Sequence, residues 1–306
     1  MSVLRFAFGS PGAGFYGAEL LQAQNTAEAG RSDASHSEAS LAKAATVLSI
    51  EGVSLSFGGV TALSNIDLDV RQGETRAIIG PNGAGKSSLI NIISGVYRPD
   101  SGRIRIGAAS FAHVPTQKLA RLGVARTFQN LGLFKGLTVL ENVMTAREHA
   151  NTSTFIGQLL ATPSARRQEQ AARERAERVL SFLHLTEVRD RLTGTLPYGL
   201  QKRVELARAL AATPRILLLD EPMAGMTATE KNEMADFVRA VRAEFGTTII
   251  LIEHDIGVVM DLSDRVAVLD YGRKIADGTP SQILEDQAVI DAYLGVAHEN
   301  EDGEGI

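Results

Sequence analysis

The chain contains no cysteine, so neither a disulfide nor a thiolate metal site is open to it. It has no long hydrophobic run: nothing approaches the ~18 consecutive apolar residues that a membrane-spanning helix needs. Nor does it carry an excess of positive charge. Its 31 Lys and Arg against 36 Asp and Glu leave a formal net charge of -5, which argues against bulk nucleic-acid binding. What is present is ordinary for a soluble protein: 306 residues, 44% hydrophobic and 22% charged, enough for one large domain or two small ones with a real core.

Met1 to Tyr16 carries Arg5 and some apolar residues in the manner of a secretion signal. Gly9, Pro11, Gly12, Gly14 and Gly17 interrupt the apolar run and no convincing cleavage site follows, so it reads as a cytosolic tail, with a signal peptide as the alternative. Residues 1–46, rich in Ala, Ser, Gly and Glu, lack periodic apolar spacing. They bury too little to offset their ordering entropy and read as a disordered extension. Residues 297–306 read as an acidic tail.

Between these ends the texture is that of an α/β domain. Val47 to Val70 alternates apolar and polar residues around Gly58-Gly59, which predicts antiparallel strands joined by a hairpin. Thr75 to Ile79 predicts a short strand, and Lys86 to Ile93 a helix with Leu89, Ile90 and Ile93 inward. Residues 164–184 form a helical stretch of mixed charge, read as a solvated, salt-bridged surface. Tyr198 to Ala212 is a helical pattern with Pro197 at its start. Ile216 to Leu219 and Thr248 to Ile252 predict buried parallel strands. Between them, Thr227 and Glu230 fit a capping box ahead of the apolar stripe Met234, Phe237, Val238 and Val241. Strands alternating with helices imply a mostly parallel sheet.

The strongest chemical signal is Gly80-Pro81-Asn82-Gly83-Ala84-Gly85-Lys86-Ser87, a P-loop placed between a predicted strand and a predicted helix. Glycines let the backbone wrap a phosphate with several N–H groups pointing inward, and the helix start adds its positive end. Lys86 is placed to reach the β- and γ-phosphates of ATP, Ser87 to ligate Mg²⁺, and Ser88 to bond a further phosphate oxygen. Asp220 and Glu221 end the run Ile216 to Leu219. A carboxylate there can hold hydrated Mg²⁺, and its neighbour can act as general base on the attacking water.

This order of motifs resembles an ATP-binding subunit of an ABC transporter, a P-loop ATPase with a RecA-like core, over about Val47 to Val296. The resemblance implies an N-terminal antiparallel β subdomain and an inserted helical subdomain at about 130–195. It implies that Gln129, in Arg126-Thr127-Phe128-Gln129, touches Mg²⁺ and the water and senses the membrane partner. By the same resemblance His254 contacts the γ-phosphate and Phe57 stacks on adenine. The segment Leu196-Pro197-Tyr198-Gly199-Leu200-Gln201, with Tyr198 and Gly199 toward phosphate, then covers the nucleotide held by a second ATPase subunit. Two departures stand out: Pro197 where the family usually has Ser, and Thr227 where it usually has Asp or Asn.

Tyr198 before Gly199, Ile252-Glu253-His254-Asp255, and Asp277-Gly278-Thr279-Pro280 through Ala292-Tyr293-Leu294-Gly295 are similar to the ATPases of high-affinity branched-chain amino acid uptake systems. The insert around Phe155 to Ala165 resembles the larger of that system's two ATPases. The implied partners are a second ATPase, as a heterodimer or a homodimer, two transmembrane permease chains and, indirectly, a periplasmic solute-binding protein. The implied place is the cytoplasmic face of the plasma membrane. Leu131, Leu133, Phe134 and Leu137 are candidates for the groove that receives a permease helix. The alternatives are an ABC importer for urea, amides or another small solute, or a soluble ABC ATPase of cofactor assembly. A small-molecule kinase would need the P-loop but not the later motifs, and a regulatory nucleotide-binding module would not need Glu221 and His254.

Overall fold

The computed structural model describes residues 44–127, 131–146 and 163–294, with side chains left out at 163–165. Strands β1 (Thr46–Phe57) and β2 (Val60–Arg71) form the expected antiparallel hairpin, turning at Gly58-Gly59. Strand β3 (Thr75–Ile79) leads through the glycine-rich loop into helix α1 (Lys86–Ile93), both at the expected bounds. Next come β4 (Ser101–Ile106), β5 (Ala109–Phe111) and the short β6 (Val124–Arg126). Helices α2 (Val139–Thr145), α3 (Pro163–Phe182) and α4 (Tyr198–Ala211) precede β7 (Ile216–Asp220). Then follow α5 (Ala228–Phe245), β8 (Thr248–Ile252), α6 (Ile256–Leu262), β9 (Arg265–Asp270), β10 (Arg273–Gly278), α7 (Pro280–Glu285) and α8 (Gln287–Leu294).

Two sheets result. One is antiparallel, with order β2-β1-β4-β5; the other has order β10-β9-β3-β8-β7-β6 and is parallel except for β10 at its edge. The mostly parallel core and the antiparallel β subdomain are both as expected. Strands β3, β7 and β8 are buried at every position, because both faces of this sheet are covered. Alternate residues of one strand therefore serve different cores. Leu217, Leu219, Ile249 and Leu251 pack with α2–α5, whereas Ile216, Leu218, Ile250 and Ile252 pack with α1 and the antiparallel sheet. Ala77, Ile79, Val266 and Val268 join α6, α7 and α8 in a third cluster.

Helices α2, α3 and α4 pack on one another, so the described part of the inserted region is helical. Its entry is fixed by capping. Thr138 accepts from the Glu141 N–H at 3.2 Å while Glu141 accepts from the Thr138 N–H at 2.7 Å. Asn142, fully buried, exchanges hydrogen bonds with the Phe134 backbone at 2.8 and 3.0 Å and donates to Thr193 Oγ1 at 2.6 Å. This pins the 134–138 loop beside 192–194, and Phe134 and Leu192 are left 56% and 47% exposed. Among the described residues, no helix is long and apolar enough to cross a membrane.

Candidate functional site

Three adjacent parallel strands, β3, β8 and β7, end side by side. The P-loop follows β3, His254 follows β8, and Asp220 and Glu221 close β7. The carboxyl edge of a parallel α/β sheet is where such folds bind ligands, and most of the residues singled out from sequence meet there.

The P-loop is held in shape from outside. Gly80 has φ 147, and a Cβ there would overlap the Leu269 carbonyl; Gly85 has φ 103, and a Cβ would lie 2.7 Å from the Ala62 carbonyl. Only glycine fits both positions. The Gly272 N–H donates to the Ala84 carbonyl at 3.1 Å, and the Ser64 N–H to the Gly272 carbonyl at 2.8 Å. The turn between β9 and β10 thus ties the loop to β2. Helix α1 has Gly85 as its N-cap and no side-chain cap, so its first-turn N–H groups, at Lys86, Ser87 and Ser88, are left for an anion to satisfy.

The Lys86 ammonium reaches back over this loop and donates to the Gly80 carbonyl at 2.7 Å and the Pro81 carbonyl at 2.9 Å. Burial pulls its pKa below the ordinary lysine range, and the Glu221 carboxylate partly offsets this. Lys86 and Glu221 therefore feel each other across the site.

Asp220 is 5% exposed. Its Oδ2 accepts from Arg126 Nη2 at 2.8 Å, and its backbone N–H donates to Thr127 Oγ1 at 3.4 Å. Glu221 has φ 47, left-handed for a non-glycine residue, while its N–H continues the sheet to the Ile252 carbonyl at 2.9 Å. The kink ends β7 and turns the chain toward α5.

His254 is 44% exposed, and its Nδ1 lies 3.7 Å from Glu253 Oε2. Asp255 fixes the next step by capping α6 and pairing with Lys231 at 2.7 Å. Phe57, at the tip of the hairpin and 47% exposed, meets Tyr97 edge-on at 5.2 Å between ring centroids. Pro197 is the N-cap of α4, and no side chain caps that helix. Tyr198 is 43% exposed. Gly199 lies so close to Glu230 that a Cβ would displace that carboxylate. Thr227 and Glu230 form the expected capping box of α5, so Thr227 serves the helix start. Gln129 lies outside the described residues.

The donor set suits Mg²⁺ taken up with phosphate. Among the described residues no group of three or more His, Cys, Asp or Glu could hold a metal alone. Mg²⁺ is usually held by one or two carboxylates together with substrate phosphates and water. One carboxylate, Asp220 at the end of β7, together with the Ser87 hydroxyl in the first turn of α1, fits that pattern in kind.

Sequence reasoning missed three supporting side chains. Tyr97 braces Phe57. Glu253, 1% exposed, accepts from the Met223 N–H at 2.8 Å and the His254 N–H at 3.3 Å, joining the segment after β7 to the one after β8. Burial pushes its carboxyl above the ordinary range, and nearby Glu221 adds to the rise, against the two N–H donors. Arg126 is the third. A carboxylate bounded by apolar strand and histidine marks Glu253 as unusual in sequence, but nothing local signals its partners.

Comparison with known proteins agrees with this geometry. Residues 63–224 match the family described as ABC transporter, and residues 273–299 match the family described as branched-chain amino acid ATP-binding cassette transporter. The chain is 42% identical over 251 residues to BraF of Pseudomonas aeruginosa, a high-affinity branched-chain amino acid transport ATP-binding protein. That alignment covers 82% of this chain and 98% of the relative. Its fold resembles the ADP conformation of an ATP-binding cassette of an ABC transporter, with TM-score 0.71, 32% identity, and 82% and 99% of the two chains covered. It also resembles the dimeric post-hydrolysis state of a cassette bound to ADP and Pi, with TM-score 0.64, 26% identity, and 76% and 98% covered. A P-loop braced for phosphate, acidic and histidine residues on the neighbouring strands, and a relative matched almost end to end lead to one conclusion: the chain belongs to the ABC transporter family, as one of its ATP-binding subunits.

Proposed function

We propose that this subunit hydrolyses ATP to power uptake of branched-chain or related amino acids, at the cytoplasmic face of the plasma membrane. It would act with a second ATPase and two permease chains supplied by a solute-binding protein. The observation that carries the solute class is the match at residues 273–299. Phosphate chemistry is common to all such ATPases, whereas this C-terminal segment lies outside the P-loop, Asp220 and Glu221 and so reports relatedness that catalysis does not dictate.

In this reading the loop N–H groups and Lys86 hold the phosphates, and Ser87 and Asp220 hold the metal. Mg²⁺, when bound, neutralises charge developing on the phosphate oxygens. Glu221 takes the proton of the attacking water as the bond to the γ-phosphorus forms and the β–γ bridge breaks. His254, kept in place by Glu253 and the Asp255 cap, contacts the γ-phosphate. Gln129 completes the metal and water contacts. The N-terminus of α4, with Tyr198 and Gly199, approaches the nucleotide held by the second ATPase. Exposed Phe134 and Leu192, on loops stapled by Asn142, support the 131–137 region as the seat of a permease helix.

Two substitutions probe the parts most particular to this chain. Stacking of a base on an aromatic ring contributes ~1–3 kcal/mol, so Phe57→Ala will weaken ATP binding by roughly 5- to 150-fold, measured by calorimetry, and Phe57→Tyr will restore most of it. Pro197→Ser supplies a hydroxyl where α4 offers only backbone donors. One added hydrogen bond of about 1 kcal/mol predicts a roughly five-fold faster ATPase in the assembled transporter. An unchanged rate would show that the backbone donors already suffice.

The solute reading is tested by uptake of radiolabelled leucine in a strain whose only copy carries Glu221→Gln. Uptake is expected to fall to background. Normal leucine uptake with lost uptake of urea or an amide would move the subunit to a different importer. Failure to co-purify with permease chains from membranes would place it among soluble ABC ATPases.

A further inference from the structure

Arg126 ends β6, the strand bonded to β7, and its guanidinium is nearly buried, with 10% of the side chain exposed. It makes contacts on two sides. Nη1 donates to Asn91 Oδ1 at 2.8 Å and to Ser94 Oγ at 2.7 Å, while Nη2 donates to Asp220 Oδ2 at 2.8 Å. Asn91 and Ser94 stand at the far end of α1, whose near end carries Lys86 and Ser87. The Asn91 carbonyl also accepts the Val96 and Tyr97 N–H groups, at 2.8 and 3.0 Å, which holds the ring that braces Phe57.

We infer that Arg126 is a positioning residue that sets Asp220 against the P-loop helix, so that one carboxylate oxygen stays aimed at the Mg²⁺ shared with Ser87. The inference rests on the proposed reading of Asp220 as a metal ligand. Helix α1 has eight residues, and at 1.5 Å rise per residue such a helix is a stiff rod about 12 Å long. Arg126 clamps its rear to the carboxylate that must cooperate with its front. With Oδ2 engaged by Nη2 at 2.8 Å, rotation of the carboxyl group is restrained, which in this proposal leaves Oδ1 as the oxygen for the metal. A planar guanidinium suits this task because its fork donates in two directions at fixed angles, which a lysine ammonium does not reproduce. Outer-shell partners of metal ligands typically change affinity by 10- to 100-fold when removed.

A bare charge effect has the opposite sign. If Arg126 acted only as a cation near the metal, its removal would relieve repulsion and tighten Mg²⁺ binding. The orienting role predicts weaker binding even when charge is kept.

The test uses the full chain and follows binding of a fluorescent ATP analogue as Mg²⁺ is titrated, with turnover playing no part in the readout. Arg126→Gln is expected to raise the Mg²⁺ needed for half-maximal binding about 10-fold or more. Arg126→Lys, the milder change should the first variant fold poorly, is expected to raise it less, yet clearly. Nucleotide binding without Mg²⁺ is expected to stay within two-fold of wild type. Asp220→Asn is expected to raise the Mg²⁺ requirement as well, and Arg126→Lys added to Asp220→Asn to shift it little further, since both act through one carboxylate. Unchanged or tighter Mg²⁺ dependence in the Arg126 variants, alongside a shifted Asp220→Asn, would overturn the positioning role and leave the metal reading standing. An unshifted Asp220→Asn would overturn both.

Discussion

Glu221→Gln will lower steady-state ATP hydrolysis by on the order of 10²–10⁴-fold, the range general-base catalysis contributes, while leaving ATP binding within about two-fold of wild type. The amide keeps the size of the side chain, and the backbone bond from the Glu221 N–H to the Ile252 carbonyl at 2.9 Å survives, so the left-handed kink that ends β7 is preserved. What is lost is the lone proton acceptor on that side chain. Removing the carboxylate also removes an acidic neighbour that helps sustain the Lys86 charge. The lysine then becomes slightly easier to deprotonate, but bound triphosphate restores its ionisation by supplying far more negative charge. The check is a paired measurement of phosphate release and ATP affinity. Equal loss of both would mean that Glu221 works in binding; loss of neither would remove it from the mechanism.

Lys86→Ala has the second large effect, and it falls on binding. A hydrogen bond to a charged group contributes about 1.5–3 kcal/mol, so loss of the ammonium weakens ATP by roughly 10- to 150-fold. The nucleotide-free protein is expected to keep its thermal stability. Desolvation lowers the Lys86 pKa, so the buried ammonium is held at a cost in the absence of phosphate, compensated by the Gly80 and Pro81 carbonyls. Lys86→Arg will not restore affinity, because a longer, planar guanidinium does not reproduce the compact ammonium that donates to the Gly80 and Pro81 carbonyls. Calorimetric ATP titration together with thermal denaturation without nucleotide separates the two claims. A large fall in melting temperature would mark Lys86 as structural.

Much of the fold was legible because the local and global demands coincide. Strands β7 and β8 have apolar runs with sharp ends because both their faces are covered, so burial writes itself into nearly every position. Helix α5 announces its start by Thr227 and Glu230 and its buried stripe by Met234, Phe237, Val238 and Val241. The short strands β5 and β6, of three residues each, escaped notice because such segments exist only through their neighbours' hydrogen bonds. Strand β4 carries Arg103 and Arg105 on its exposed face and buries only Ile104 and Ile106, too little alternation to stand out.

The site divides in the same way. Lys86, Ser87, Asp220 and Glu221 were readable because phosphate chemistry demands those types next to strand ends and glycines. Arg126 was not, since its carboxylate partner lies 94 residues away. Glu253 was quoted only as part of a resemblance, because its job is to join two backbone N–H groups from different strand ends. Thr227 bears two readings at once: a departure from the family's usual residue, and a helix cap that the α5 geometry accounts for.

The central claim is that ATP is enclosed by two subunits, with the Lys86 loop on one side and an α4 N-terminus on the other. The most direct measurement is a structure of the assembled transporter carrying Glu221→Gln, with Mg²⁺ and ATP bound. The account predicts ATP against the Lys86 loop of this chain, and the Tyr198–Gly199 backbone of this chain within hydrogen-bonding reach of the nucleotide held by the second ATPase. ATP held by the loop alone, with the Gly199 segment facing solvent in the fully loaded complex, would contradict it.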